Sequence, residues 1–442
     1  MNYPPPRRHE SGASEPQEDL TLVRKPDYNR RVVVTGMGVV SPIGNDLETV
    51  WSNLTNGRSG IGEITHFDTT PYEHKAGGEV HDFDVTKYWN FKDARRTETT
   101  VHFAVAAARM AVADSGLEIN EENRYDVGVI FGSGGGGQGL FISNQESWHS
   151  KGARSVSPFF IANGLVDASS GTIAIETGAK GHNFCPVSAC STGTTAIGEA
   201  AEAIRRGDCT AVITGSAESP LLELVHIGFT NMRGLGTPLP GRPIGTVSRP
   251  FDRTRDGFVL GEGAGALILE DLELAKARGA KIYAEVVGYG SAADGFDMIA
   301  PADRGEGSAR AMKMALERRG VPAGEVGMIN PHGTSTPLGD KRESEAIWSA
   351  FGNHTPEILI SATKSMTGHM MGAAGAFEGI ATVLSLHHQA VPGTLNYLEP
   401  DPECNITVVT ETIETPLRYA LSNNIGLGGH NAAVIFERYT GD

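Results

Sequence analysis

Apolar runs alternate with helical patterns in two series along the chain, and this order constrains the fold more than any other feature. The first series has predicted strands at the start of residues 31–44 and at 126–132, 209–216 and 265–270. The second has predicted strands at 282–287, 326–330, 358–361, 418–423 and 432–437. Continuous apolar strands separated by helices are typical of sheets covered on both faces, so the sequence predicts an α/β fold.

The predicted helices fit the same two series. They cover residues 46–56, 97–115, 307–319, 340–350 and 372–387, with further helices ending at Gly207 and Gly279. Two similar series indicate an internal duplication, with an N-terminal half over residues 30–280 and a C-terminal half over 281–442. Residues 1–29 are rich in Pro, Glu, Arg and Ser, and we expect them to form a disordered N-terminal extension.

Charge and cysteine spacing argue against several classes of protein. A formal net charge of -16 disfavours nonspecific binding to nucleic acid or to a membrane surface. The 4 cysteines show no Cys-x-x-Cys spacing, so neither a disulfide framework nor a metal site is expected. No apolar run reaches the roughly 18 residues that span a bilayer, and the N-terminus lacks the apolar core of a signal peptide. These features predict a soluble, cytoplasmic protein without membrane insertion.

Two glycine-rich stretches are candidates for nucleotide binding, but the residues within and around them argue against it. Gly36-Met-Gly38 follows a predicted strand, but Ser41 stands where a dinucleotide fingerprint has its third glycine, and Pro42 follows. The loop over residues 132–139 lacks the Gly-Lys-Ser/Thr of a phosphate-binding loop.

Cys190 lies where a short extended run turns into an amphipathic helix. Ile197, Ala200, Ala201 and Ile204 recur at helical spacing, and Gly207 ends the helix. A helix N-terminus presents free N–H groups and partial positive charge, so we expect it to favour a thiolate at Cys190. On this stretch alone, a nucleophile and a buried inert cysteine remain equally open.

Two histidines favour the interpretation of Cys190 as a nucleophile. His332 follows a predicted buried strand, and His369 precedes the apolar helix over residues 372–387, five residues after Lys364. Both are strand-end loop positions, where α/β folds place their chemistry.

Four motifs contain these residues or follow them: Val-Ser-Ala-Cys-Ser-Thr-Gly around Cys190, Asn-Pro-His-Gly-Thr-Ser-Thr around His332, Lys-Ser-Met-Thr-Gly-His-Met-Met-Gly-Ala-Ala-Gly from Lys364, and Asn-Ile-Gly-Leu-Gly-Gly-His-Asn from Asn424. Taken together, these motifs resemble the β-ketoacyl-acyl-carrier-protein synthases of the type II elongating class, from about residue 31 to the end. The resemblance implies a thiolase-like αβαβα layered sandwich of two similar halves, acting as a homodimer without metal or other cofactor.

The resemblance also implies a decarboxylative Claisen condensation, in fatty acid or type II polyketide chain elongation. Cys190 would hold the acyl chain as a thioester, and neutral Nε2–H groups of His332 and His369 would stabilise the charge formed when malonyl-thioester loses CO2. Lys364 would support the histidines, and Glu378 would support the site from behind. The N–H groups of Cys190 and Leu427 would form the oxyanion hole.

Departures from the family pattern are Pro331, which stands where Ala is usual, and two residues of the loop over 426–430. Leu427 replaces the usual gating Phe, and His430 stands where Thr is more common. With Phe229, Leu427 is assigned to the acyl gate or tunnel, and a smaller gate predicts tolerance of a wider range of acyl chains.

An acyl carrier protein, which is acidic in this family, needs a local basic surface on this acidic chain. The predicted docking residues are Lys92, Arg95, Arg96, Lys151, Arg154 and Arg233. Scattered solvated charges are the competing interpretation.

Two alternative functions remain open. A chain-length-factor-like partner subunit would bind without condensing and would lack the active cysteine. A thiolase or initiating synthase would replace the second histidine. The presence of Cys190, His332 and His369 argues against both.

Overall fold

The computed structural model describes residues 24–441. The strands, in chain order, are β1 Val32–Val40, β2 Ile61–Glu63, β3 Ala76–Gly78, β4 Val127–Gly132, β5 Asn183–Phe184, β6 Ala211–Glu218, β7 Leu260–Gly261, β8 Gly263–Asp271, β9 Ala284–Ala293, β10 Val326–Asn330, β11 Leu359–Ile360, β12 Ala390–Val391, β13 Thr407–Val408, β14 Ile413–Glu414, β15 Tyr419–Gly426 and β16 His430–Arg438. The α-helices are α1 Leu47–Thr55, α2 Phe91–Ala94, α3 Thr99–Ser115, α4 Gln138–Lys151, α5 Phe160–Gly164, α6 Ala168–Thr177, α7 Thr192–Arg206, α8 Glu223–Asn231, α9 Leu272–Ala277, α10 Glu306–Glu317, α11 Pro337–Phe351, α12 Lys364–Thr367 and α13 Ala374–His388.

The main sheet repeats one pairing pattern outward from its centre. Its strand order is β13-β11-β10-β15-β16-β9-β1-β8-β6-β4-β5. From β1 the pairings run antiparallel, antiparallel, parallel and parallel through β8, β6, β4 and β5. From β9 they run in the same sequence through β16, β15, β10 and β11. The two series predicted from the sequence therefore form two similar halves, joined through a short antiparallel contact between β1 and β9.

Helices cover both faces of each half, which gives the predicted αβαβα layering. α7 and α13 contact each other and strands of both halves, so they form the central layer. α3 and α6 cover the outer face of the first half, and α10 covers the outer face of the second with α11 packed against it. The apolar small-residue pattern of α13 follows from this position, because 13 of its residues are buried between the sheets.

The glycine pair in β1 is explained by helix packing. A Cβ at Gly38 would lie 2.1 Å from the carbonyl oxygen of Ala107 in α3. The second half repeats the device, since a Cβ at Gly290 in β9 would lie 2.0 Å from the carbonyl oxygen of Ala311 in α10. Gly36-Met-Gly38 thus lets an outer helix approach the sheet, which agrees with the rejection of a dinucleotide fingerprint.

Several elements were not predicted from the sequence. They include α4, α5, α6 and α8, a small sheet formed by β2, β3 and β7, and several elements of two to four residues. α4 buries only Asn144 in this chain, so it carries no apolar stripe that a periodic pattern would reveal. The strand predicted over 282–287 also extends further, as β9 reaches Ala293 beside β16.

Most of the predicted disordered extension, residues 1–23, lies outside the described residues. Residues 24–29 lie against the folded body instead. Arg24 forms an ion pair with Asp126 at 3.1 Å, and the N–H of Asp27 donates to the carbonyl of Arg205 at the end of α7. The described chain, residues 24–441, has no helix with the length and apolar character to cross a bilayer.

We predict that Gly38→Ala lowers the free energy of unfolding by about 2 kcal/mol, because the added methyl forces α3 away from β1. Urea denaturation measures the change. The matched control is Gly62→Ala in β2, where a Cβ meets nothing within 4 Å. Equal stability of the Gly38→Ala and Gly62→Ala proteins would contradict this account of the packing.

Candidate active site

Cys190 lies in a single 3-10 turn, Ala189–Ser191, that leads directly into α7. The preceding residue, Ala189, has a φ of 49°, a left-handed conformation that non-glycine residues rarely adopt. Ser335 and Met371, also near the site, have φ values of 72° and 46°. Strained backbone of this kind persists where the surrounding structure holds it, and it clusters at functional sites.

Cys190 is only 7% exposed, and its thiol contacts both polar and apolar groups. The backbone N–H groups of Leu427 and of Cys190 itself point at the sulfur, and the Met371 sulfur lies 4.0 Å away. Burial raises the pKa of Cys190 to about 11, and the two N–H groups and Lys364 only partly offset this rise. The expectation that the helix start favours a thiolate is therefore wrong, because desolvation outweighs the helix terminus.

Glu343 fixes the loop that carries His332. Its two carboxylate oxygens accept hydrogen bonds from the N–H groups of His332, at 2.6 Å, and of Gly333, at 2.7 Å. Asn423 donates a third at 2.8 Å. The imidazole position is thus set from the backbone, by a buried carboxylate in α11.

A buried chain of polar groups connects Lys364 to the ring of His332. Lys364 pairs with Glu378, and both side chains are at most 2% exposed. The amide of Asn424 donates to the other Glu378 oxygen at 2.7 Å and lies 3.4 Å from Nδ1 of His332. An amide N–H directed at Nδ1 makes that nitrogen the acceptor, which assigns the His332 proton to Nε2.

His369 is positioned by strand β7 and by aromatic packing. Its N–H donates to the carbonyl of Val259 at 2.6 Å, and its carbonyl accepts from Gly261 at 3.0 Å. The ring packs edge-on against Phe258, with centroids 5.6 Å apart, and against His332, with centroids 5.2 Å apart.

Both imidazoles are neutral in this environment. Burial holds the pKa of His332 and of His369 well below the usual value, and the nearby Lys364 cation lowers each pKa further. A neutral imidazole with its proton on Nε2 can donate a hydrogen bond to a developing oxyanion without a proton transfer.

A cavity of about 450 Å³ brings the predicted residues together. Its lining includes Cys190, Phe229, Arg233, His332, His369 and Leu427. Lys364 and Glu378 lie behind the histidines and are fully buried. The turn between β15 and β16 approaches Cys190 closely because residue 426 is glycine: a Cβ there would lie 2.5 Å from the Ser188 carbonyl oxygen.

The predicted docking residues divide into two groups. Arg233 lies at the cavity, whereas the other five lie outside its lining. Lys92, Arg95, Lys151 and Arg154 are exposed. Arg96 is half-buried, with its guanidinium 4.6 Å from the ring centre of Phe159.

Sequence reasoning gave no role to several residues that shape the site. Asn424 stood inside a quoted motif, but its link between Glu378 and His332 depends on tertiary contact. Glu343 and Met371 carried no signal, because a glutamate in a helix resembles a surface residue and a methionine resembles core.

Two family models match the chain. The model for "Beta-ketoacyl synthase, N-terminal domain" matches residues 29–275, and the model for "Beta-ketoacyl synthase, C-terminal domain" matches residues 283–398. The 3-oxoacyl-acyl-carrier-protein synthase 2 of Staphylococcus aureus (strain COL) is 45% identical over 412 residues, covering 93% of this chain and 99% of that protein.

Solved structures match over nearly the whole chain. The ishigamide ketosynthase/chain length factor gives a TM-score of 0.85 at 34% identity and covers 93% of this chain and 100% of its own. A ketosynthase in the AntDE:AntF complex, a type II polyketide acyl-carrier protein with its ketosynthase, gives a TM-score of 0.85 at 30% identity, with 94% and 100% covered.

Proposed function

The chain belongs to the β-ketoacyl synthase family, and we propose on that basis that it condenses malonyl-acyl-carrier protein with an acyl chain held on Cys190. The observation that carries the proposal is the cavity in which the Cys190 thiol meets the neutral imidazoles of His332 and His369. The reaction would serve chain elongation in fatty acid or type II polyketide synthesis. The relative from S. aureus supports the first pathway, and the AntDE:AntF structure keeps the second open.

The first proposed step loads the acyl chain. The sulfur of Cys190 attacks the thioester carbonyl carbon, the bond to the carrier thiol breaks, and the Cys190 proton leaves with that thiol. The N–H groups of Cys190 and Leu427, which point at the sulfur, are placed to donate to the oxygen of the tetrahedral intermediate. Acyl transfer from one thioester to another therefore requires no water in the cavity.

The second proposed step forms the carbon–carbon bond. The malonyl-thioester loses CO2, and negative charge moves onto its thioester oxygen. His332 and His369 donate Nε2–H hydrogen bonds to that oxygen. The resulting carbanion attacks the acyl carbon on Cys190, the carbon–sulfur bond breaks, and the released Cys190 thiolate takes up one proton from solvent.

A non-condensing partner subunit is the alternative, and the ishigamide ketosynthase/chain length factor match makes it a relevant one. The intact set of Cys190, His332 and His369 in one cavity supports the condensing role instead. A subunit that only binds would have no need for a nucleophile with N–H donors directed at it.

The proposed partner is an acyl carrier protein, consistent with the names of the relatives. Lys92, Arg95, Arg96, Lys151 and Arg154 are proposed to receive its acidic surface, with Arg233 at the cavity mouth. We also propose a reducing cytoplasmic location, since the four cysteines are free thiols.

A homodimer is proposed from the open end of the main sheet. β5 ends that sheet in the described chain, and an edge strand exposes unpaired backbone groups. Large apolar side chains are exposed on the adjoining segments: Phe141, Trp148, Phe159, Ile161, Leu165, Ile175 and Phe184. A second copy paired through β5 would cover both features.

We further propose that residues 30–280 form the half carrying the nucleophile and 281–442 the half carrying the histidines, with 1–29 as an extension.

Phe229 and Leu427 are proposed as the acyl gate. Both line the cavity, and the Phe229 ring packs edge-on against Phe258 with centroids 5.2 Å apart. The flexible side chain of Leu427 fills less space than the usual Phe, so the gate would admit a wider range of acyl chains.

We predict that Cys190→Ala abolishes formation of the acyl-enzyme, because the thioester has no sulfur to form on. Mass spectrometry of the protein after incubation with acyl-carrier protein measures the acyl adduct. Cys185→Ala is the matched control, removing a half-buried thiol from the same segment, and should acylate like the parent. An acyl adduct on the Cys190→Ala protein would refute the assignment.

We predict that His332→Ala and His369→Ala each slow decarboxylation of malonyl-thioester by about 10²–10³-fold, the cost of removing one oxyanion donor. Release of CO2 measures the rate. His354→Ala, which removes an exposed histidine, should behave as the parent. If either variant decarboxylates malonyl-thioester at the parent rate, the histidine that it lacks has only a structural role.

We predict that Arg95→Glu with Arg96→Glu raises the KM for carrier-protein substrates by about tenfold and leaves the KM for small acyl thioesters unchanged, because only the protein substrate reaches this surface. Lys276→Glu, an exposed charge reversal in α9, is the control. Equal losses with both classes of substrate would point to disrupted folding and not to docking.

A further inference from the structure

Glu218 is a buried carboxylate that the proposed reaction does not use. It ends β6 and is only 4% exposed. Three groups of the glycine-rich loop after β4 donate to it: the N–H of Gly134 at 2.6 Å, the N–H of Gly135 at 3.0 Å, and the Ser133 hydroxyl at 2.9 Å.

These contacts favour the ionised form of Glu218. The Ser133 oxygen accepts from the N–H of Gly136 at 2.9 Å, so its hydroxyl proton is available for Glu218. The N–H of Gly372 is a fourth donor. Burial raises the pKa of Glu218 and the four donors oppose that rise; three of them are backbone N–H groups, which cannot accept a proton from the carboxyl.

The carboxylate also holds a turn that touches Cys190. A Cβ on Gly372 would lie 2.3 Å from a Glu218 oxygen, so the turn Met371–Ala373 lies directly on the carboxylate. Met371 in that turn has left-handed backbone, and its sulfur is 4.0 Å from the Cys190 sulfur. The glycine-rich loop that donates to Glu218 also contacts the residue before Cys190, since a Cβ on Gly134 would lie 3.4 Å from the carbonyl oxygen of Ala189.

Two buried charges of opposite sign therefore act on Cys190. The Lys364 cation lowers the pKa of Cys190, and the Glu218 anion raises it. Glu378 pairs with Lys364 and neutralises its charge. The groups that donate to Glu218, in contrast, are all neutral.

We propose that Glu218 is a positioning residue for Cys190, which fixes the Met371–Ala373 turn against the sulfur and whose negative charge adds to burial in disfavouring the thiolate. This rests on the proposed role of Cys190 as the nucleophile. The loading step then begins from a thiol whose proton leaves with the carrier thiol, and the resting enzyme is protected from stray electrophiles. The two contributions, contact and charge, can be separated by substitution.

The test is the pH dependence of Cys190 alkylation by iodoacetamide, followed by mass spectrometry of the modified peptide. Alkylation reports the thiolate whatever reaction the enzyme catalyses, so a failure here is distinct from a failure of the condensation proposal. In Glu218→Gln the charge is lost, and we expect the midpoint to fall by about one pH unit, with alkylation about tenfold faster below it. Glu218→Asp keeps the charge and shortens the reach, so its midpoint should stay near the parent value while condensation slows.

Glu98→Gln is the matched control. Glu98 accepts from the N–H of Leu140 at 3.1 Å, at the far end of the same glycine-rich segment. The pH midpoint of Cys190 alkylation in Glu98→Gln should match that of the parent protein. An unchanged midpoint in Glu218→Gln, or equal shifts in Glu218→Gln and Glu98→Gln, would overturn the proposal. If Glu218→Gln fails to fold, a Glu218→Asp midpoint shifted as far as one unit would overturn it too.

Discussion

The buried ion pair between Lys364 and Glu378 is the interaction on which the site depends. Taking two charges out of water is expensive, and an apolar pair of similar volume is often at least as stabilising. The pair is therefore better explained by what it does to its neighbours than by its contribution to stability. Its cation lowers the pKa of both histidines, and its carboxylate holds Asn424 against His332.

The duplicated sheet explains how residues distant in sequence meet at this pair. α7 and α13 lie together between the halves. Cys190 precedes the first of these helices, and His369 precedes the second, which also carries Glu378. Because both helices enter the central layer from equivalent positions, the nucleophile of one half faces the histidines of the other. The glycines that let the outer helices approach the sheets are repeated in the same way, at Gly38 and Gly290.

Much of the fold and the reactive groups of the site could be predicted from sequence, because they leave local signals. β10 begins and ends where the pattern placed it, and Gly207 ends α7 as expected. The sequence could not reveal how deeply Cys190 is buried, so the expected thiolate was wrong. Carboxylates such as Glu218 and Glu343 were also missed, because their burial depends on backbone N–H groups that come from distant loops.

His332 and His369 stay neutral and act as hydrogen-bond donors, not as acids. The most direct measurement is NMR of the enzyme with isotope-labelled histidine, followed from about pH 5 to pH 8, where an ordinary imidazole titrates. Spectra of His332→Ala and His369→Ala identify the two rings among the 14 histidines of the chain. A depressed pKa means that the neutral form persists as the pH falls, so we expect that neither ring titrates in this range. A midpoint near 6.5 for either ring would contradict it.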